Sequence, residues 1–371
     1  MAAILPEERT DVLYHRYEGD QVKVDGPSIL GRKSFGKNTS LYANYYTDAV
    51  SSASIDVRTY ASPYSEDRTE YSYGADFVFD NSTVAIGYTN SEENDYSSDT
   101  YHFGTSHTMF GDLTTVNLGF SLGDDEVRQN QYDINGNFIG NNPGFGDNGK
   151  LDLKRRNYRL GLTQIFTKNL IMNFAFEAVS DEGFTQNPYR SALIIAGGNV
   201  TPTSETYPET RTSDAFAIRA NYFLPYRAAL KFEYKYYEDS WDIKAHTYKF
   251  AYTHPFGERW TFDAHYRVYQ QDQASFYFDL IPEGGAQVYQ GRDKELSKFT
   301  SQGIGFGTSY EFMQNGWWQF DKGSVSFAYE RVNFDYDNFS DYEGLVGTSN
   351  TQGRPFAYSA DILEIYFSVW Y

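Results

Sequence analysis

Asp263, His265 and Arg267 alternate in the stretch WTFDAHYRVY, so an extended backbone puts a carboxylate, an imidazole and a guanidinium on one face. That trio suits proton handling. The same spacing also builds an ordinary polar wall, and no nucleophile, base and orienter recur at offsets that would bring them together. His102 has the same facing in its own segment, but nothing places it near His265. Six His without a Cys, and without HExxH or paired spacing, give no metal pattern. Asp133-Ile134-Asn135-Gly136-Asn137 has the texture of a calcium loop yet lacks the downstream Glu of the ligand set, so it reads first as a turn. The expectation is a protein without catalysis, metal or cofactor.

A wider set of charges shares the facing of that trio. Arg155, Arg159, Arg219, Lys231, Glu233 and Lys235 join Asp263, His265 and Arg267 as residues expected to line a wet interior. Asp76, Glu177, Glu311, Glu330 and Glu364 face the same way. The two signs nearly balance, which predicts cross-strand ion pairs, because ionised groups away from bulk water persist only when paired or hydrated. Gly303, Gly305 and Gly307 fall on the same face of one segment, SQGIGFGTSYEF. Three missing side chains in a row mark either a bend or a close approach by a plug, an inward loop or a partner segment. The first candidate for an inward loop is Gln270 to Leu296, whose Phe276, Phe278, Leu280 and Ile281 would not favour bulk water. The second is Ser180 to Arg211, with Leu193 to Ala196.

What must position these residues is a series of ten-residue segments of period-two alternation. Examples are Tyr71 to Phe79, Leu113 to Leu122, Asn157 to Phe166, Leu170 to Ala178, Ala215 to Leu224 and Trp260 to Tyr269. Each is long enough to cross a hydrocarbon layer when tilted. The final stretch, DILEIYFSVWY, puts Leu363, Ile365, Phe367, Val369 and Tyr371 on one uninterrupted apolar face. A strand ending this way needs a partner for its edge, and closing the sheet removes the edge. Connections alternate between short turns, such as Gly111-Asp112 and Thr167 to Asn169, and long loops, such as Asp124 to Lys150 and Asp335 to Arg354. That asymmetry belongs to membrane barrels with periplasmic turns and extracellular loops. An even count then requires Asp11 to Tyr17 to turn at Glu18-Gly19-Asp20 into Gln21 to Ser34, which makes about sixteen strands, porin size. Phe79, Phe110, Phe166, Tyr226 and Trp260 near the short turns fit an interfacial girdle; a soluble sandwich would instead bury such aromatics.

Composition narrows the rest. Among 371 residues, 18% are aromatic and none is Cys, which excludes disulfides, thiolate metal sites and covalently held c-type haem. A net charge of −19 argues against a nucleic-acid binder. No run reaches the ~18 apolar residues of a spanning helix. The opening MAAILPEERTD lacks the basic and apolar regions of a signal peptide, so it reads as a mature form, with residues 1–10 a periplasmic segment of a single 1–371 barrel domain. The excess negative charge is assigned mostly to the outer loops. There DYDNFSDYE (335–343) and Glu92 to Asp95 could bridge divalent cations to lipopolysaccharide phosphates or to a partner.

Several phrases resemble one family of Gram-negative outer-membrane barrels, a domain of unknown function: ERTDVLYHRYEGD, IDVRTYASPYSEDRTEYSYGADF, VSDEGFTQNPYRS, THPFGERWTFDAHYRVY, RDKELSKFTSQGIGFGTSYEF and the closing YFSVWY. The resemblance covers nearly the whole chain and carries over no catalytic or ligand residue. It implies frequent gene neighbours, a periplasmic flavin transferase and a small lipoprotein, and hence a place in an extracytosolic redox system. The resulting expectation is an all-β, closed antiparallel barrel of the bacterial outer membrane. It would act as a pore or conduit, passing a small solute or sheathing partner proteins. The other reading is a plugged surface barrel whose acidic, Tyr-rich loops dock to other surface proteins. Expected partners are outer-membrane lipid and lipopolysaccharide, with a protein in the lumen or at the loops, and no nucleic acid.

Overall fold

The computed structural model describes residues 4–52, 64–132 and 138–371. The alternating segments form β1 (Arg9–Gly19), β2 (Val22–Phe35), β3 (Thr39–Ser52), β4 (Tyr64–Phe79), β5 (Ser82–Glu92), β6 (Tyr96–Met109), β7 (Thr114–Arg128), β8 (Asn130–Tyr132), β9 (Phe138–Asn141) and β10 (Lys150–Thr167). They continue as β11 (Leu170–Gly183), β12 (Ser191–Ala196), β13 (Asn199–Ser204), β14 (Thr210–Phe223), β15 (Ala229–Asp239), β16 (Lys244–Phe256), β17 (Trp260–Gln271), β18 (Phe299–Phe312), β19 (Lys322–Asp341) and β20 (Arg354–Trp370). Sixteen of these close into one antiparallel barrel, with β8–β9 and β12–β13 standing apart as two-stranded hairpins. The seam is β1 against β20, paired from Arg9↔Trp370 to Gly19↔Ala360. The edge of the final strand is therefore satisfied, as its apolar face requires.

The first hairpin turns at Asp20 and Gln21, both with positive φ (48° and 58°), the backbone of a two-residue turn matched to strand twist. The turn lies one residue beyond the expected position, and β1 starts two residues before Asp11. Several strands also outrun their predicted ends at the long-loop side: β7 continues to Arg128 and β19 to Asp341. The loop hairpins were not predicted. In β12–β13 the turn is Gly197-Gly198, with φ of 58° and 78°, which only glycine adopts without cost. The turn expected at Asp133 to Asn137 lies outside the described residues. So do residues 53–63, which hold part of the loop and of the family phrase between β3 and β4.

One face of the wall is apolar and uncovered: Leu118 is 52% exposed, Leu160 48%, Phe306 57% and Ile365 40%. Aromatics at the short-turn ends, Phe79, Phe110, Phe166, Tyr226 and Trp260, are exposed too. A face this large and apolar is stable only against hydrocarbon. Leu160 stands between Leu118 and Phe176 on neighbouring strands. Leu160→Arg is therefore expected to destabilise the barrel by about 2–4 kcal/mol in denaturant unfolding from lipid vesicles. A variant indistinguishable from the parent would mean that this face does not meet hydrocarbon.

Candidate functional site: the charged lumen and its cap

The opposite face carries the charges, and register decides who meets whom. Arg155 Nε donates to Asp181 Oδ1 at 2.8 Å, and Arg159 Nε to Glu177 Oε1 at 2.9 Å. Arg219 pairs with Glu233 across β14 and β15 and reaches Asn173 Oδ1 at 3.2 Å. Lys231 Nζ lies 3.8 Å from Asp263, whose carboxylate also accepts from the Thr253 hydroxyl. His265 Nε2 lies 3.3 Å from Glu330 Oε2. Asp263, His265 and Arg267 thus share a face yet turn to different neighbours, so the structure does not assemble them into a proton-handling trio. His102 sits elsewhere on the wall, against Thr89 Oγ1 at 3.2 Å.

The three glycines follow from these contacts. His265, Gly305 and Glu330 are directly opposite one another on β17, β18 and β19. A Cβ at Gly305 would collide with the His265 ring, and one at Gly303 with the Glu330 carboxylate. These glycines admit two side chains that meet over the middle strand. The close approach comes from neighbouring strands of the wall rather than from a plug. At Gly307 a Cβ would make only ordinary contact, 3.5 Å from the Asp263 Cβ.

Above this wall the long loops interlock. The segment after β17, residues 272–298, sends Ile281 into backbone bonds with β12 (Ile281 N to Leu193 O, 2.8 Å; Ile195 N to Ile281 O, 2.9 Å). The β13 end is tied in turn to the β19–β20 loop through Val200 N to Thr348 O at 2.8 Å. Tyr207, Trp241, Ile243, Ala274, Phe276, Tyr277, Leu296 and Phe339 bury one another in an apolar cluster. Leu193, Val200 and Tyr342 form a smaller one, against which Leu280 packs. Both loops nominated from sequence therefore contribute to this cap.

Three consecutive residues fasten it. Arg292 is buried: its Nε donates to Asp279 O at 2.9 Å, its Nη2 to Ser340 O, and its guanidinium centre lies 4.5 Å from the Phe339 ring. Its backbone N–H donates to Glu205 Oε1 at 2.6 Å. Asp293 pairs with Arg190 in the β11–β12 connection. Lys294 Nζ donates to Asp20 Oδ2 in the first turn at 2.7 Å. Gly291 precedes them because a Cβ there would strike the Tyr207 ring at 2.6 Å. Burial pushes the Glu205 carboxyl up to about 7, against the Arg292 and Tyr207 hydrogen bonds that favour its ionised form.

Beneath the cap lies a chamber of about 800 Å³, lined by Lys235, Tyr237, Arg267 and Tyr269 of the wall and by Asp293 to Leu296 of the cap. A second hollow of about 760 Å³ lies toward the short-turn side, lined by Arg9, Asp11, Asn44, His102 and Trp370 among others. Sequence reasoning passed over Lys249 and treated Arg292 only as part of a loop motif. The facing of Lys249 was available from alternation in KFAYTHPF, but its neighbours depend on register. No group of three His, Asp or Glu side chains able to hold a metal occurs among the described residues.

A family model described as "Protein of unknown function (DUF3570)" matches residues 55–344. No curated protein matches the sequence. Among solved structures, a bacterial polysaccharide outer membrane secretin is similar over 99% of this chain and 100% of that one, with a TM-score of 0.55 and 7% identity. The siderophore receptor PirA from Acinetobacter baumannii aligns with 90% of this chain at a TM-score of 0.47 and 9% identity, and the chain spans only 53% of its length. OmpT of Vibrio cholerae aligns with 99% of this chain and 100% of its own at a TM-score of 0.44 and 11% identity. At such identities the likeness is one of fold, that of outer-membrane barrels.

Proposed function

The chain belongs to the family described as a protein of unknown function (DUF3570), which lends it no activity, and from its own geometry we propose a non-catalytic conduit of the bacterial outer membrane. In this reading the lumen admits a small solute, and the folded cap controls access from the long-loop side. The observation that carries it is the charged, ion-paired and solvent-accessible inner wall, with one hollow near the short turns and a chamber under the cap. Outer-membrane lipid against the apolar band and lipopolysaccharide against the loops are the surroundings this reading requires. A partner protein of an extracytosolic redox or transport system would engage the same lumen.

A plugged surface barrel is the second reading, favoured by the apolar cluster at the heart of the cap. Planar-bilayer recording separates the two. The parent should conduct in brief, small steps. A variant with residues 274–291 replaced by a short Gly-Ser linker should conduct steadily and at least several-fold more. Resistance of the folded band to SDS shows that the variant barrel is intact. A silent lumen in that intact variant would remove the conduit reading and leave the plugged barrel.

A further inference from the structure

The inner face of β14 to β17 is unbalanced in a way the rest of the wall is not. Arg211, Arg219, Lys231, Lys235, Lys249 and Arg267 share it with three carboxylates, Glu233, Asp239 and Asp263. Those carboxylates are engaged by Arg219, Arg211 and Lys231 respectively. Lys235, Lys249 and Arg267 have no carboxylate within ion-pair distance among the described residues. Lys249 is directly opposite Glu233 on β15, which Arg219 already engages, and directly opposite Arg267 on β17, and the like charges of that second pair repel. A repulsion of this kind costs least when an anion lies between the cations. Gly303, opposite Arg267 on β18, carries no side chain of its own, and the Glu330 carboxylate lies over it without reaching ion-pair distance of the guanidinium.

The surroundings indicate what kind of anion. Lys235 and Arg267 line the chamber under the cap together with Tyr237, Trp241, Tyr269 and Phe299. Arg267 itself lies 5.5 Å from the centre of the Tyr269 ring. Cations beside flat apolar surfaces suit a solute with an acid group at one end and a ring at the other. We propose that this chamber is a binding site for a small organic anion carrying a ring, with Lys235 and Arg267 of its lining, and Lys249 next to Arg267 on the same face, holding its carboxylate or phosphate. The site names the solute class of the conduit and rests on that reading for its purpose, but its occupancy is measured without any current through the barrel.

Equilibrium dialysis of the folded barrel in detergent at low ionic strength, with radiolabelled benzoate and benzylammonium as probes, tests the site. Benzoate should bind saturably and benzylammonium should not. Lys249→Gln with Arg267→Gln should weaken benzoate binding roughly tenfold or more, the scale of losing charge-assisted bonds. Arg354→Gln, which alters a cation paired with Asp341 at the long-loop ends of β20 and β19, should leave it unchanged. Equal binding of the two probes, or a double variant that stays SDS-resistant and binds benzoate as the parent does, would overturn the proposal. Benzoate binding in a barrel that fails to conduct even without its cap would keep the site and remove the conduit.

Discussion

Arg292→Ala is expected to release the cap while leaving the barrel closed. The guanidinium donates to the backbone carbonyls of Asp279 and Ser340, lies 3.6 Å from the Asp279 carboxylate, and packs against Phe339 and Tyr342. Without it two buried carbonyls lose their donor, and the Asp279 carboxylate keeps the Ser340 N–H but loses its counter-charge. Breaking a buried charge pair in this way costs about 3–5 kcal/mol, comparable to what holds a local unit of structure closed. The measurement is hydrogen exchange followed by mass spectrometry. Amides of residues 272–298 should exchange faster by orders of magnitude, while those of β10 and β11, held in the barrel ladder, stay protected. Arg292→Lys should rescue little, because one ammonium cannot replace a planar fork stacked on a ring. Unchanged protection of 272–298 would mean that the apolar cluster alone holds the cap.

The second large effect is a loss of cap stability as pH rises toward neutrality. Glu205 is 5% exposed, and burial raises its carboxyl from the ordinary 4.5 to about 7. The groups facing it are the Arg292 amide and the Tyr207 hydroxyl, which donate to it, the Asp293 carboxylate, which opposes its charge, and Arg190, which favours it. Because the closed cap binds the proton more tightly than an open one, the stabilisation is complete below about pH 4.5 and falls as pH rises to 7, with no further loss from this group above that. The span corresponds to about 3 kcal/mol. Burial raises the Asp279 carboxyl as well, which acts in the same direction. Cap exchange rates at pH 5.5 and pH 8, corrected for base catalysis, should differ for the parent and much less for Glu205→Gln. Equal pH slopes in the two proteins would remove Glu205 from the account.

The barrel was legible in the sequence because an apolar surrounding outside and a polar, charged interior impose alternation on the strands of the wall. Parity of short and long connections then required the first hairpin even though its strand is polar, and the structure places that hairpin within two residues of the expected position. The loop hairpins lack that two-sided environment, so β12 and β13 pass as irregular chain, although Ala196-Gly197-Gly198-Asn199 carries a turn signal. Alternation also gives the facing of a charge but not its partner. That His265 meets Glu330 over Gly305, and that Lys249 stands opposite Arg267, depend on register between strands. The burial of Arg292 was hidden for a related reason: its acceptors are backbone carbonyls 13 and 48 residues away. Composition says nothing of such pairings.

The bond from Lys294 to Asp20 joins residues 274 apart in the chain. Asp20 belongs to the hairpin that forms one side of the β1–β20 seam, so its position is fixed only once the last strand has docked on the first. The cap's third fastener therefore depends on the circular closure of the barrel, a contact between chain ends far apart in sequence. An incompletely zipped intermediate would carry a loosely covered mouth, and the finished molecule would be recognisable from outside by a settled one.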